Sequence, residues 1–275
     1  MNDVLLLTGA GQIGLAITRR IGHGKKIIVG DKSIQNSEAT CKILNEAGFD
    51  AESVVCDISS RDSIQNIIKI SQEYGEIKHF INAAGVSPSQ APIETILRVD
   101  LYGTAVLLEE VGKVIKEGGS GVTISSQSGH RMKQLGSEID RQLAMTPTEE
   151  LLDLEILQTE NIKDTLHAYQ LAKRCNVKRV MYEACRWSDR NARINSVSPG
   201  IIVTPLALDE FNGPRGEFYK NMFKNCPSKR PGTADEIATL CELIMSDNGS
   251  FISGSDFLID GGATASYFYG KLQPK

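Results

Sequence analysis

The chain has little that would tie it to a metal, a nucleic acid or a membrane. Its four histidines are scattered and none stands in an H-E-x-x-H spacing, so the pattern that aims two imidazoles at one ion is missing. Six cysteines, Cys41, Cys56, Cys175, Cys185, Cys226 and Cys241, form no C-x-x-C pair and read as reduced thiols of a cytoplasmic protein. The start, MNDVLLLTGAG, has no basic residue and only a four-residue apolar run, which predicts no secretory leader. The letters Asn248-Gly249-Ser250 then carry no glycosylation. No apolar run nears the length that spans a bilayer. An excess of positive charge is missing too: 30 basic against 34 acidic residues leave a formal net charge of −4. Without a basic field to hold a phosphate backbone, nucleic acid is not an expected partner.

What is present is the composition of a soluble globular protein, 41% hydrophobic and 23% charged in 275 residues. That length suits one α/β domain over 1–275. Short β-rich apolar runs recur at Val4–Leu7, Lys26–Gly30, Glu52–Cys56, His79–Asn82, Val122–Ser125, Arg193–Val197 and Asp256–Ile259, with helical patterns between them. Alternating β and α elements predict a parallel sheet with helices on both faces. A continuous run such as Val-Leu-Leu-Leu suits a strand buried on both sides.

One segment breaks this rhythm. The stretch 130–168 has no strand signal, and Arg131–His167 carries eight acidic against four basic residues. Within it Thr146-Pro147-Thr148-Glu149 predicts a helix start, with Thr146 as N-cap, Pro147 in the first turn and Glu149 closing a capping box. Leu151, Leu152, Leu154, Ile156 and Leu157 give the expected helix an apolar side. A solvated decoration, a lid over a substrate and an interface element are all open readings of this insertion.

The first strand runs into Thr8-Gly9-Ala10-Gly11-Gln12-Ile13-Gly14, a G-x-G-x-x-G between a strand and a helix. Such glycines permit a tight turn, let a pyrophosphate approach the backbone, and let helix and strand pack closely. The helix N-terminus adds free N–H groups and the positive end of its dipole. The second strand ends in Asp31, 17 positions after Gly14, where a carboxylate can accept from adenosine ribose hydroxyls and repel a 2′-phosphate. NAD is therefore expected over NADP. Asp57, with Ile58 beside it, is placed as a neighbour of the adenine, a helix N-cap being the alternative for Asp57. Further along, Tyr169 and Lys173 stand at i and i+4 of a helical pattern and share a face. A phenol is a poor base at neutral pH, but an adjacent ammonium favours the phenolate and makes it a usable proton acceptor for an alcohol.

Together these motifs resemble the short-chain dehydrogenase/reductase family, compact branch, over nearly the whole chain. The ordered matches are Thr8-Gly9…Gly14, Asp57, Asn82-Ala83-Ala84-Gly85, Ile124-Ser125-Ser126, Tyr169…Lys173, Arg193–Gly200, Thr204-Pro205, Arg230–Ala238 and Gly254…Asp260-Gly261-Gly262. The resemblance implies a Rossmann-type, doubly wound sheet of seven parallel strands and hydride transfer with a nicotinamide cofactor. By position, Tyr169 is the implied general acid/base, Lys173 its ammonium neighbour and ribose ligand, and Ser126 the group that polarises the substrate oxygen. Ser125 or Ser128 is the substitute if the strand ends differently. Asn82 is implied to support the sheet near the cofactor. Pro199, Gly200 and Thr204 are implied to face the nicotinamide, with backbone near Ile202 for its carboxamide.

Three features depart from the family pattern. The glycine loop is one residue shorter than in compact members. Asp100 stands where the family has a catalytic Asn. And 43 positions separate Ser126 from Tyr169, far more than usual, an insertion loosely similar to that of bacterial 3α-hydroxysteroid dehydrogenase/carbonyl reductases. The leading expectation is an NAD-dependent alcohol dehydrogenase or carbonyl reductase acting on a small secondary alcohol or ketone, as a cytoplasmic homodimer or homotetramer. A sugar-nucleotide epimerase or dehydratase of the extended branch and a non-catalytic NAD-binding regulator are the alternatives. Only 102 residues follow Lys173, which favours the compact branch. Substrate specificity is assigned to the insertion, the tail from Tyr267 and the loop 205–229, whose Leu206, Leu208, Phe211, Phe218 and Phe223 suit an apolar ligand or a subunit contact equally.

Overall fold

The structure, a computed structural model, describes residues 2–213 and 216–274. In chain order its strands are β1 Asn2–Thr8, β2 Lys26–Asp31, β3 Asp50–Val55, β4 Gly75–Asn82, β5 Ser120–Ile124, β6 Arg193–Pro199 and β7 Asp256–Ile259. Its helices are α1 Gln12–Ile21, α2 Ile34–Glu46, α3 Arg61–Tyr74, α4 Ile93–Ile96, α5 Thr104–Val114, α6 Ser137–Met145, α7 Thr165–Trp187, α8 Pro205–Asn212, α9 Gly216–Asn225, α10 Ala234–Met245 and α11 Ala263–Tyr269. A π-helical segment, Leu97–Gly103, joins α4 to α5.

The strands form one parallel sheet in the order β3-β2-β1-β4-β5-β6-β7, the doubly wound arrangement expected. Alternate side chains of the same strands feed two cores. Val4, Leu6, Ile28, Phe80 and Ile194 pack with Ile64, Ile67, Val106, Val180 and Trp187 of α3, α5 and α7. Leu5, Leu7, Ile27, Val29 and Ile81 pack with Ile17, Leu44, Ile237 and Cys241 of α1, α2 and α10. That is why β1 reads as unbroken apolar sequence. The chain leaves β1 toward β2 on one side and returns to β4 on the other. The register Thr8 to Gly30 and Thr8 to Asn82 levels their carboxyl ends, so a crevice opens there, at the switch point.

The helix start expected at Thr146 is not formed. Thr146 instead closes α6 as its C-cap, its N–H bonded to the Gln142 carbonyl, with ψ at 133°. Pro147 ends α6 at this point, because its ring disfavours helical backbone in the residue before it. Beyond Pro147 the chain runs through short 3₁₀ turns, Thr148–Asp153, Glu155–Leu157 and Thr159–Asn161, broken by extended ψ at Leu154 and Gln158. Glu149 does not fold back on a cap; it accepts from Tyr102 Oη at 3.0 Å and Arg61 Nε at 2.7 Å. Arg174 of α7 holds Asp140 of α6 through two bonds of 2.7 Å. The apolar side of the insertion packs on its own chain: Leu143, Leu151, Leu157 and Ile162 share a third core with Ile96, Leu101, Ala105, Leu171 and Cys175.

In the loop 205–229, Phe211 lies edge-on to Phe223 and Tyr219 with ring centres 5.3 and 5.2 Å away, while Leu208 and Phe218 are exposed. The Leu206 side chain and residues 214–215 lie outside the described residues.

Leu151 is fully buried, so truncation leaves a cavity. Leu151→Ala is expected to lower unfolding free energy by about 2–4 kcal/mol in chemical denaturation. A loss below about 0.5 kcal/mol, the range of a surface substitution, would mean that the insertion is not seated on this core in solution.

Candidate active site

The glycine loop is fixed by its neighbours. Gly9 has φ of +89°, and a Cβ there would sit 2.3 Å from the Ala84 nitrogen, so only glycine lets β1 turn beneath the segment that leaves β4. Gly14 is equally confined: a Cβ would meet the Gly9 carbonyl and a Leu7 methyl at 2.8 Å. Both polar groups of Ala10 are held, its N–H by Asp31 Oδ2 and its carbonyl by Thr40 Oγ1, each at 2.9 Å. Gly11 is the opposite case. A Cβ on it would meet nothing within 4 Å, and as N-cap of α1 it brings no side chain to cap the first-turn N–H groups. The shorter loop therefore still offers a helix N-terminus with open space before it, which fits a pyrophosphate.

A cleft over the carboxyl ends of the strands gathers Ala10, Gly11, Gln12, Ile13, Gly14, Ala83, Ala84, Gly85, Ser126, Tyr169, Lys173, Pro199, Gly200, Ile202 and Thr204. Most of the residues singled out in the sequence thus line one surface. Asn36, Val86, Ser87 and Gln90 line it as well and carried no motif; Asn36 had only its place in the first turn after Asp31 as a signal. Thr8, Gly9, Asn82 and Asp100 lie behind the wall. Asn82 Oδ1 accepts from Thr8 Oγ1 at 3.1 Å and from the Ala84 N–H at 3.3 Å, and its amide donates to Thr104 at 3.2 Å. It ties β1, β4 and α5 together under the cleft.

Asp31 accepts from the N–H of Ala10 and of Ser33 at 2.9 Å each, next to the glycine loop. Asp57 is not a helix cap; Ser60 caps α3. Its carboxylate accepts from Ser59 at 2.6 Å and pairs with Lys32 at 2.9 Å. Burial pushes the Asp57 carboxyl up, but those partners outweigh it and hold it below the usual range. Ile58 is buried, and its carbonyl would collide with a Cβ on Gly103 at 2.4 Å. Asp57 and Ile58 are not among the residues that line the cleft.

At the reacting end the two serines divide their work. Ser125 is buried and its hydroxyl donates to the Lys173 carbonyl at 2.8 Å, which clamps β5 to α7. Ser126 accepts from the Ser128 N–H at 3.1 Å, a contact that leaves its own proton uncommitted, and it faces the cleft. Ser128 supplies backbone to that turn. Lys173 is buried, its Nζ 3.5 Å from the Ile124 carbonyl, 3.9 Å from Asp100 Oδ2 and 5.3 Å from the centre of the Tyr169 ring. Burial pushes its ammonium down, but Asp100 and Tyr169 outweigh that and hold it above its ordinary value. A serine hydroxyl, a phenol and a buried ammonium thus converge on one cleft beside an open helix N-terminus. Such a set can bind an alcohol or carbonyl oxygen and exchange a proton with it.

Comparison with known proteins agrees with this geometry. Residues 3–137 match the family model for short chain dehydrogenases, and residues 135–264 match the model described as enoyl-(acyl carrier protein) reductase. The chain belongs to the short-chain dehydrogenase/reductase family. It is 37% identical over 264 residues to short-chain dehydrogenase/reductase bsc3 of Alternaria brassicicola, covering 96% of each chain. It is 28% identical to levodione reductase of Leifsonia aquatica, covering 96% of this chain and 95% of that one. It is also 28% identical to D-threitol dehydrogenase of Mycolicibacterium smegmatis, covering 95% and 92%. A crystal structure of levodione reductase superposes with a TM-score of 0.78 at 25% identity, covering 96% and 98%. The family places the chain among oxidoreductases that act on CH–OH or carbonyl groups with a nicotinamide cofactor. Among the described residues no helix is long and apolar enough to cross a membrane.

The two glycines make separable predictions. Gly11→Ala is expected to leave the melting temperature nearly unchanged and to weaken dinucleotide binding at least tenfold, about 1.4 kcal/mol, because its methyl group fills the open space. Gly14→Ala is expected to destabilise the fold itself. Calorimetric titration and thermal melts check both; tight binding by Gly11→Ala would move the phosphates elsewhere.

Proposed function

We propose that the protein is an NAD-dependent dehydrogenase/reductase that interconverts a secondary alcohol and its ketone. The observation that carries the reading is the single cleft joining the Gly11 helix N-terminus to Ser126, Tyr169 and Lys173. In this reading the N–H groups at the start of α1 hold the pyrophosphate. Asp31 accepts from the adenosine ribose hydroxyls, and its charge disfavours a 2′-phosphate. Lys173 donates to the nicotinamide ribose, and Pro199, Gly200, Ile202 and Thr204 flank the ring. The nicotinamide, when bound, gives or takes the hydride.

The chain's own residues manage the proton. Ser126 donates to the substrate oxygen and orients it. Tyr169 takes the alcohol proton in oxidation and returns it in reduction, and the ammonium of Lys173 favours the phenolate in the first direction. A closed homo-oligomer in the cytoplasm belongs to the same reading. Exposed Phe251 and Leu258, on and just before the β7 edge, support it, since sheet edges with apolar side chains are commonly covered by a second copy.

A screen of NAD reduction over steroids, sugar alcohols, polyols, hydroxy acids and quinols tests the chemistry. On the substrate found, Tyr169→Phe is expected to lower kcat by about 10²–10⁴ with NADH affinity nearly unchanged. A near-normal kcat would remove Tyr169 from the proton transfer. The cofactor preference is a separate prediction: NADH is expected to bind at least tenfold more tightly than NADPH, and Asp31→Ser to narrow that ratio. Equal affinities in the unmodified protein would take Asp31 out of its assigned role. Light scattering at micromolar concentration reads the oligomer, and a monomeric mass overturns it.

A further inference from the structure

Asp100 is the ionisable side chain that the family resemblance explains least. It lies in the π-helical segment Leu97–Gly103, a rare geometry that concentrates at functional sites. Its side chain is fully buried. Oδ1 accepts the Val86 N–H at 2.8 Å. Among the described residues Oδ2 is buried without a hydrogen-bond partner, and it stands 3.9 Å from Lys173 Nζ. Gly85 makes the approach possible: a Cβ there would stand 2.9 Å from Asp100 Oδ1 and 3.4 Å from Lys173 Nζ.

The other charged groups around this segment look elsewhere. Glu149 of the insertion binds Tyr102 and Arg61, and Arg98 lies over the Tyr102 ring. Burial pushes the Asp100 carboxyl up, against the pull of the Lys173 ammonium and the Val86 N–H; Lys173 is the ionisable side chain acting on Asp100, and Asp100 and Tyr169 are those acting on Lys173.

We propose that Asp100 is the buried counter-ion of Lys173 and a positioning residue that sets the pH at which Tyr169 gives up its proton. The inference rests on the reading of Tyr169 as the proton-transfer group. The sign comes from counting charge. With Asp100 ionised, Lys173 protonated and Tyr169 neutral, the cluster carries no net charge, and loss of a proton leaves a buried negative charge. With asparagine at 100 the same cluster starts at +1 and becomes neutral. In a coupled cluster the first proton therefore leaves more readily without Asp100, whichever group releases it. Asp100 thus holds Lys173 as an ammonium and at the same time tempers the pull of that ammonium on the phenol.

Asp100→Asn keeps the shape and the acceptor for Val86 while removing the charge. The phenolate absorbance of Tyr169, read as the difference between each protein and its Tyr169→Phe partner, reports the titration without any substrate. The midpoint is expected to fall by about one pH unit in Asp100→Asn, a tenfold change in proton affinity, and the alkaline rise of kcat/KM for alcohol oxidation to move with it. A midpoint unchanged or raised in folded Asp100→Asn overturns the counter-ion. Asp100→Ser takes the same measurement if the asparagine variant does not accumulate. The outcomes also separate the two claims. A shifted absorbance midpoint in a protein that oxidises no alcohol keeps the counter-ion and rejects the dehydrogenase reading. Tyr169-dependent oxidation with an unshifted midpoint does the reverse.

Discussion

The close crossing of two backbones, the loop after β1 and the segment after β4, governs the rest of the structure. Gly9 has no room for a side chain beneath Ala84, and the Ala83 N–H donates to the Thr8 carbonyl at 2.8 Å. Because the crossing is tight, α1 begins where β1 ends, and its N-terminus points into the crevice rather than over the sheet. The next residue along from Ala84 is Gly85, the position that admits Asp100 and Lys173 to each other. Cofactor end and reacting end are therefore connected by four residues, Asn82 to Gly85, and Asn82 anchors them from below to β1 and α5. A side chain forced into this crossing would displace both ends of the cleft together.

The chain of strands and the glycine loop were legible because each depends on local rules. Runs such as Val4–Leu7 and Lys26–Gly30 are apolar because both faces are covered, and these two grew by only a residue or two at the ends, where hydrogen bonding rather than side-chain burial decides; His79–Asn82 gained four residues at its start, and the runs ending at Cys56 and Ser125 each lost their last residue. The pairing of Tyr169 with Lys173 was legible for the same reason, since an i, i+4 spacing on a helix is a geometry in itself. Their companions were legible only through resemblance. Nothing in Ile124-Ser125-Ser126 says which hydroxyl is left free to act; both serines line the cleft, and the end of β5 decides it by committing the Ser125 proton to the Lys173 carbonyl. Asn36, Ser87 and Gln90 belong to the cleft because separate elements end there, which no spacing in one segment encodes.

The insertion misled for a physical reason. Thr146-Pro147-Thr148-Glu149 satisfies every local requirement of a helix start, yet the segment before it was already helical. Pro147 acts backwards, on Thr146, and ends α6. Glu149 then had a stronger alternative than a backbone N–H, a guanidinium and a phenol from α3 and the π-helical segment. Charged partners roughly double the strength of a hydrogen bond, and with Leu151 and Leu157 available to a core, tertiary contacts outweigh the cap. The same acidic character that reads as a solvated face along the sequence is in part spent on Arg61 and Arg174.

Seating the insertion on Ile96, Leu101 and Ala105 has a consequence for the reacting end. Ile96 and Ala105 flank the π-helical segment that carries Asp100, Leu101 lies within it, and Leu171 of the same core is two positions from Lys173. A π turn is held less well by its own hydrogen bonds than an α-helix and persists where surrounding packing over-determines it. The insertion supplies that packing from outside, while Val86 and Gly85 fix Asp100 from within. A buried carboxylate 3.9 Å from a buried ammonium is a poor source of stability, because desolvation of the two charges offsets their attraction. It is retained in a region clamped on both sides, and what such clamping secures is the distance between two charges. An arrangement that adds little to folding and is nonetheless held this firmly is best understood through the phenol one helical turn away.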